Sequence, residues 1–156
     1  MAEDGQRGLL FKEILIKINN PVKSLYNFYS KRFIISMKQK IVLKRAYDPA
    51  SPEDGYRVYI DKLWPRGLSH ETFHYDSWDK AIAPSSQLRE WFHQDTVGRW
   101  NEFQQKYKLE LLSNPSFKNL RKEIEDKPIV TLLYSSRDHD HNNAVVVKNV
   151  LETLQS

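Results

Sequence analysis

Pro128-Ile129-Val130-Thr131-Leu132-Leu133-Tyr134 is an almost unbroken apolar run; Ser135-Ser136-Arg137-Asp138-His139-Asp140-His141-Asn142 follows it, and then a helical pattern continues to Leu154. An apolar run of this length between polar neighbours reads as a strand buried on both faces, the pattern of a covered parallel sheet. The polar stretch is its loop. Ala144, Val147, Leu151 and Leu154 then recur at three- and four-residue steps, which predicts a closing helix over 142–154 with those residues inward.

The segments upstream supply the rest of a parallel crossover. Leu88, Trp91 and Phe92 form one stripe over Ser85 to His93, and Trp100, Phe103, Tyr107 and Leu111 form another over Thr96 to Leu112. Aromatic residues at that spacing are expected in the core. Asn114-Pro115 offers an N-cap and a first-turn proline for a helix through Asp126. Before these, Ile41 to Tyr47 reads as a strand, Asp48 to Gly55 as a turn-rich loop, and Tyr56 to Leu63 as a second strand. Val58 and Ile60 should share one face of it, with Arg57, Tyr59 and Asp61 on the other. Helices between this strand and the apolar run imply parallel strands. The expected fold is α/β: a single small domain with a short, mostly parallel sheet and a helical middle segment packed on it.

Met37 and the Lys38-Gln39-Lys40-Ile41 stretch after it read as the beginning of the domain, residues 37–156. Residues 1–36 read as an N-terminal extension, poorly ordered or non-native, with a partner-binding or membrane-surface helix as the sharper alternative. The chain of 156 residues is 40% hydrophobic and 28% charged, a balance that supports one core and excludes the profile of disorder. It has no cysteine, which excludes disulfide scaffolds, thiolate zinc sites and cysteine nucleophiles. No run approaches the roughly 18 apolar residues of a membrane span, so a soluble, cytoplasmic protein is expected. The net charge of +4 is uneven. Residues 1–36 hold six basic and three acidic side chains, and residues 37–156 hold 18 and 17. A domain that close to neutral argues for a local anion site over a broad nucleic-acid face.

Parallel strands emerge at one edge, so Asp61 to Gly67 and Ser135 to Asn142 should face a common crevice, where ligands of open α/β sheets bind. The last helix turns its positive end to that edge. Arg66, between a proline and a glycine, is held on one side and free to turn on the other, which suits a guanidinium aimed at phosphate or carboxylate. Pairing with Asp61 or Glu110 would explain it equally well. Arg66 and Arg137 are therefore the leading anion ligands and Trp64 a pocket wall, with Arg57, Asp61, Arg89 and Asn142 as further ligand-binding candidates. Asp138 and His141 are the candidates for acid–base catalysis. His139 and His141 alternate as metal ligands can, but loop structure and capping of the last helix by Asp140 or Asn142 explain the same residues, and no metal is assigned. Ser85 and Ser86 read as helix-capping residues, since no Gly-x-Ser-x-Gly elbow is present. With no Walker loop and no Gly-x-Gly-x-x-Gly after a strand, no cofactor is assigned either.

Several of these motifs occur together and in order: Lys44-Arg45-Ala46-Tyr47-Asp48, Asp54-Gly55-Tyr56-Arg57-Val58, Asp61-Lys62-Leu63-Trp64-Pro65-Arg66-Gly67, Ala83-Pro84-Ser85, Leu88-Arg89-Glu90-Trp91-Phe92 and Asp138-His139-Asp140-His141-Asn142-Asn143-Ala144. Over about residues 40 to 155 the chain thereby resembles the YeaO-like branch of a bacterial family, the domain of unknown function 488. The resemblance implies a compact α/β domain and carries no established substrate. That family's motif usually has arginine where Lys62 stands, so a point charge replaces a planar fork. The function expected is a small enzyme or binding protein for an anionic or phosphorylated small molecule. The alternatives are a nucleic-acid-binding accessory protein, with Trp64 and Trp78 stacking on bases, and an interaction module in which Arg57, Asp61, Arg66 and Asp138 form a ligand-free ion network. No oligomeric state is assigned.

Overall fold

The apolar run is the central strand of the sheet. A computed structural model describes Ser24, Leu25 and residues 38–155; the expectations for residues 1–36 otherwise lie outside the described residues. Four strands, β1 (Lys40–Arg45), β2 (Tyr56–Tyr59), β3 (Ser77–Trp78) and β4 (Ile129–Tyr134), lie in the order β1-β4-β2-β3. Every neighbouring pair is parallel, with Lys40 opposite Ile129 on one side of β4 and Tyr56 opposite Val130 on the other. The chain reaches β4 from β3 through α1 (Ser86–His93), α2 (Trp100–Ser113) and α3 (Pro115–Ile124), and leaves it into α4 (Asn143–Leu154).

Side chains alternate across a strand, and here the two faces have different covers. Val130, Leu132, Val58 and Ile60 face a core completed by Phe92, Phe103, Tyr107, Phe117, Leu120 and Val147 from the four helices. Leu133 and Tyr59 face the other way, against Phe73, Trp64 and Trp78 of the segment between β2 and α1. Helices therefore cover one face and an aromatic loop the other. This is why β4 shows no polar alternation.

Several boundaries differ from those expected. β2 ends at Tyr59, four residues early, because the chain leaves the ladder after the Ile60 N–H bonds to the Leu133 carbonyl. β1 ends at Arg45, where Asp48 N–H turns back onto its carbonyl. α2 begins at Trp100 because Asp95 accepts from the Gly98 N–H and makes the preceding residues a turn. α3 stops at Ile124, short of Asp126. β3 has no counterpart in the reading above, since two residues are too few to show alternation. In α4, Leu154 is 40% exposed, while Val146 and Val150 are buried beside Ala144, Val147 and Leu151. The helix packs against β1, β4 and α2, so its buried face is broader than one stripe.

The approach to β2 is locked by a buried ion cluster. Asp54 pairs with Lys44 Nζ at 2.9 Å and with the Arg57 guanidinium, accepts from the Ser51 N–H, and its carbonyl receives the Thr131 hydroxyl at 2.6 Å. Burial alone would push the Asp54 carboxyl up; the hydrogen bonds from Lys44 and the Ser51 backbone and the Arg57 and Lys44 charges overcome it and hold it below the ordinary carboxylate value. Gly55 follows at φ +62, where a Cβ would sit 2.8 Å from that of Ile129, so only glycine lets the chain pass this close to β4.

Two outcomes follow for stability. A carboxyl depressed in the folded state contributes stability that is full above its ordinary value of about 3.9 and is lost as pH falls through the folded value. Asp54→Asn should therefore cost about 3 kcal/mol at neutral pH by leaving Arg57 unpaired, and should flatten the acid side of the stability profile in urea unfolding; an unchanged profile would remove the cluster from this role. Gly55→Ala should lower the unfolding free energy by about 2 kcal/mol or more through backbone strain and the clash with Ile129, read as a shifted urea midpoint.

Candidate functional site

The parallel ends of β2 and β4 deliver their loops to one edge, and Asp61 ties them together. Its Oδ2 accepts the Ser135 N–H at 2.8 Å and its Oδ1 accepts from Asn143 Nδ2 at 2.9 Å. One carboxylate thus bridges the exits of β2 and β4 and the first turn of α4. Tyr59 reinforces the joint: its hydroxyl donates to the Leu63 carbonyl at 2.7 Å and lies 2.8 Å from Ser135 Oγ. Burial pushes the Tyr59 hydroxyl far up and keeps it a donor.

Above this joint lies a cavity of about 420 Å³, walled by the β2 loop, the β4–α4 loop and α1, with Phe92 and Phe103 contributing apolar surface. Such a volume lies within the range of small-molecule sites. Trp64, Arg66, Arg89, Asp61, Asp138, His141 and Asn142 all line it. Pro65 to Leu68 forms a tight turn closed by the Leu68 N–H on the Pro65 carbonyl, with Gly67 at φ +84, a conformation open to glycine. Arg66 sits at the tip of that turn, its carbonyl accepting from the Tyr47 hydroxyl at 3.0 Å. The Trp64 ring packs beneath it on His70, Phe73 and Trp78, and its indole N–H donates to the Leu68 carbonyl at 2.7 Å.

The carboxylates of the wall are engaged by the wall itself. Asp138 Oδ1 accepts the N–H groups of Asp140 and His141, both at 2.9 Å, and its Oδ2 lies 3.0 Å from His141 Nδ1. The backbone bonds from His141 and then Asp140 hold the Asp138 carboxyl below the ordinary carboxylate value against the opposing effect of burial, and the His141 side chain adds to them. It stays ionised at neutral pH and is an acceptor, not a proton donor. Asn142 caps α4 by accepting the Val145 N–H, while its amide donates to the Asp138 and His139 carbonyls. Asp140 does not cap. His139 turns to the Tyr134 hydroxyl at 3.0 Å, so the two histidines have different partners.

The cations behave differently. Lys62 donates to Ser86 Oγ at 3.1 Å across the mouth of the cavity. Arg66 and Arg89 line the cavity, and among the described residues their guanidiniums have no hydrogen-bond or ion-pair partner. Neither carboxylate considered for Arg66 takes it: Asp61 bridges the loops, and Glu110 binds the backbone and hydroxyl of Ser85. Two candidates are not brought to the cavity. Arg57 is buried against Asp54 and the His74 carbonyl, and Arg137 is exposed outside the lining residues. Arg57, Asp61, Arg66 and Asp138 do not form the ion network considered above, since each is held separately or is unpaired. The sequence reading missed His93, although its position four residues after Arg89 puts both on one helix face. It also missed Asn143 and Ser135, whose partner is far along the chain and leaves no local signal.

The family model described as the inactive DUF488-N3 subclade matches residues 40–156. The chain is similar to the uncharacterized protein YeaO of Escherichia coli (strain K12), 40% identical over 114 residues that span 73% of this chain and 98% of that protein. It is also similar to the uncharacterized proteins Mb3100c of Mycobacterium bovis and Rv3073c of Mycobacterium tuberculosis, each 32% identical over 112 residues that span 72% of this chain and 93% of theirs. No solved structure matches.

The bridging role of Asp61 sets an expectation. Asp61→Asn turns one of its two acceptors into a donor facing another donor, and should cost about 1–3 kcal/mol. Urea unfolding reads the loss, and a variant as stable as the wild type would show that the loops meet without this bridge.

Proposed function

This chain belongs to the inactive DUF488-N3 subclade, and we propose that it binds an anionic small molecule, without catalysing a reaction, in the cavity at the C-terminal edge of its sheet. One observation carries the reading: Arg66 and Arg89 line the cavity with no partner among the described residues, while the carboxylates beside them are engaged in holding the wall. A guanidinium on a pocket wall presents a planar fork of donors to phosphate or carboxylate. Lys62 adds a third cation at the mouth. Leu63, Trp64, Phe92 and Phe103 give the same cavity an apolar side, which suits a ligand with a compact apolar body attached to its anionic group.

Support for binding over catalysis comes from the description of the subclade, and Asp138 itself is not in a state to donate a proton. An ionised carboxylate engaged in three hydrogen bonds is a poor general acid. Asp138 and His141 are thus read as parts of a ligand site.

Phenyl phosphate, which joins a phosphate to a flat apolar ring, is the probe. It should raise the melting temperature of the wild-type protein and bind more tightly than inorganic phosphate. Arg66→Ala and Arg89→Ala should each leave the unliganded stability within about 0.5 kcal/mol, since no partner is lost, and should weaken phenyl phosphate binding about tenfold or more. No protection of the wild type, or protection of both variants equal to that of the wild type, overturns the proposal.

A further inference from the structure

We propose that His141 is the proton-linked contact of this cavity, so that a bound anion is accompanied by a proton on the imidazole. The inference rests on the reading of the cavity as an anion site and deepens it: the ligand is held most tightly in mildly acidic solution.

Asp138 fixes one nitrogen of the imidazole. With its Oδ1 on two backbone N–H groups and its Oδ2 3.0 Å from His141 Nδ1, it presents acceptors only. The imidazole therefore keeps a hydrogen on Nδ1 whether the ring is neutral or charged. Nε2 is left without a partner among the described residues, on a ring that lines the cavity. Trp100 meets that ring at 87°, with centroids 5.3 Å apart, and limits its rotation. In the neutral ring Nε2 is a lone pair, which repels an anionic oxygen. Protonation turns the same atom into a charged donor alongside Arg66 and Arg89. Anion binding and protonation of His141 must then favour one another.

Of the two imidazoles in the lining, His141 is the one whose Nδ1 a carboxylate holds. Asp61, Lys62 and Arg66 come from the β2 loop, Arg89 and His93 from α1, and Asp138 from the loop of His141 itself. His139 and Asp140, also on that loop, are exposed, and His139 is turned to Tyr134. From α2 the neighbours are Trp100 and Phe103, and from α4 and its cap Asn143 and Asn142, none of them charged. Asp61 is held by Ser135 and Asn143, so Asp138 is the carboxylate that steadies the ring. His93 is the second imidazole of the lining and the necessary control.

Phenyl sulfate separates protein titration from ligand titration, because its charge is constant across the range in which histidine titrates. Calorimetry from about pH 5.5 to about pH 8.5 should show affinity falling on the alkaline side by up to about tenfold per pH unit. The binding enthalpy should vary with the ionisation heat of the buffer by up to one proton per ligand. His141→Gln should abolish both effects and bind at the alkaline wild-type level, and His93→Gln should retain them. A flat profile in the wild type, or a slope lost with His93 and kept without His141, overturns this inference and leaves the anion site standing. Failure of both phenyl sulfate and phenyl phosphate to bind at any of these pH values overturns both.

Discussion

The hydrogen bonding of β4 on both sides to parallel partners is the constraint from which the rest of the molecule follows. A strand paired to β1 and β2 in the same direction sends all three C-terminal ends to one edge, and a crossover long enough to return the chain must lie between β3 and β4. Three helices fill that crossover and cover one face of the sheet. The other face would be left open, and the aromatic segment from Trp64 to Trp78 closes it. β3 then pairs with β2 at the outer edge through just two residues.

At the edge where the strands end, backbone groups leave the ladder and need partners. Asp61 meets one of them, the Ser135 N–H, and uses its second oxygen to hold Asn143 at the start of α4. Asp138 does the same within the following loop for the N–H groups of Asp140 and His141. Negative charge in this region is thus assigned to holding backbone, and the positive charge around it is not neutralised by the same groups. Arg66 is exposed and Arg89 half-buried where they line the cavity, so an unpaired charge costs little. The contrast with Arg57 is instructive. Buried at 7% exposure, it has Asp54 and the His74 carbonyl against it and serves the fold.

Much of this was legible in residue order because the features are local. The central strand showed itself through Pro128 to Tyr134, the α1 stripe through Leu88 and Phe92, and the turn that carries Arg66 through the proline before it and the glycine after it. Convergence of the β2 and β4 loops was also legible, since it follows from parallel strands. The boundaries were harder. The end of β2 depends on where Asp61 takes Ser135, and the start of α2 on a turn closed by Asp95, so hydrophobic period alone misplaced both. The breadth of the buried face of α4 depended on what packs against it.

By itself, the sequence determined an α/β domain with a buried parallel strand, no thiol chemistry, and a set of polar residues on two loops bound for one edge. These are matters of composition and of periodicity over a few residues, which backbone geometry translates directly into structure. Tertiary structure alone decided which charged residues hold the fold and which remain open to solvent. Arg57 and Arg66 are nine positions apart and equally basic, yet one finds Asp54 in the interior and the other finds no partner among the described residues. That difference arises because ion pairing depends on distance and burial, and both are set by contacts between segments far apart in the chain.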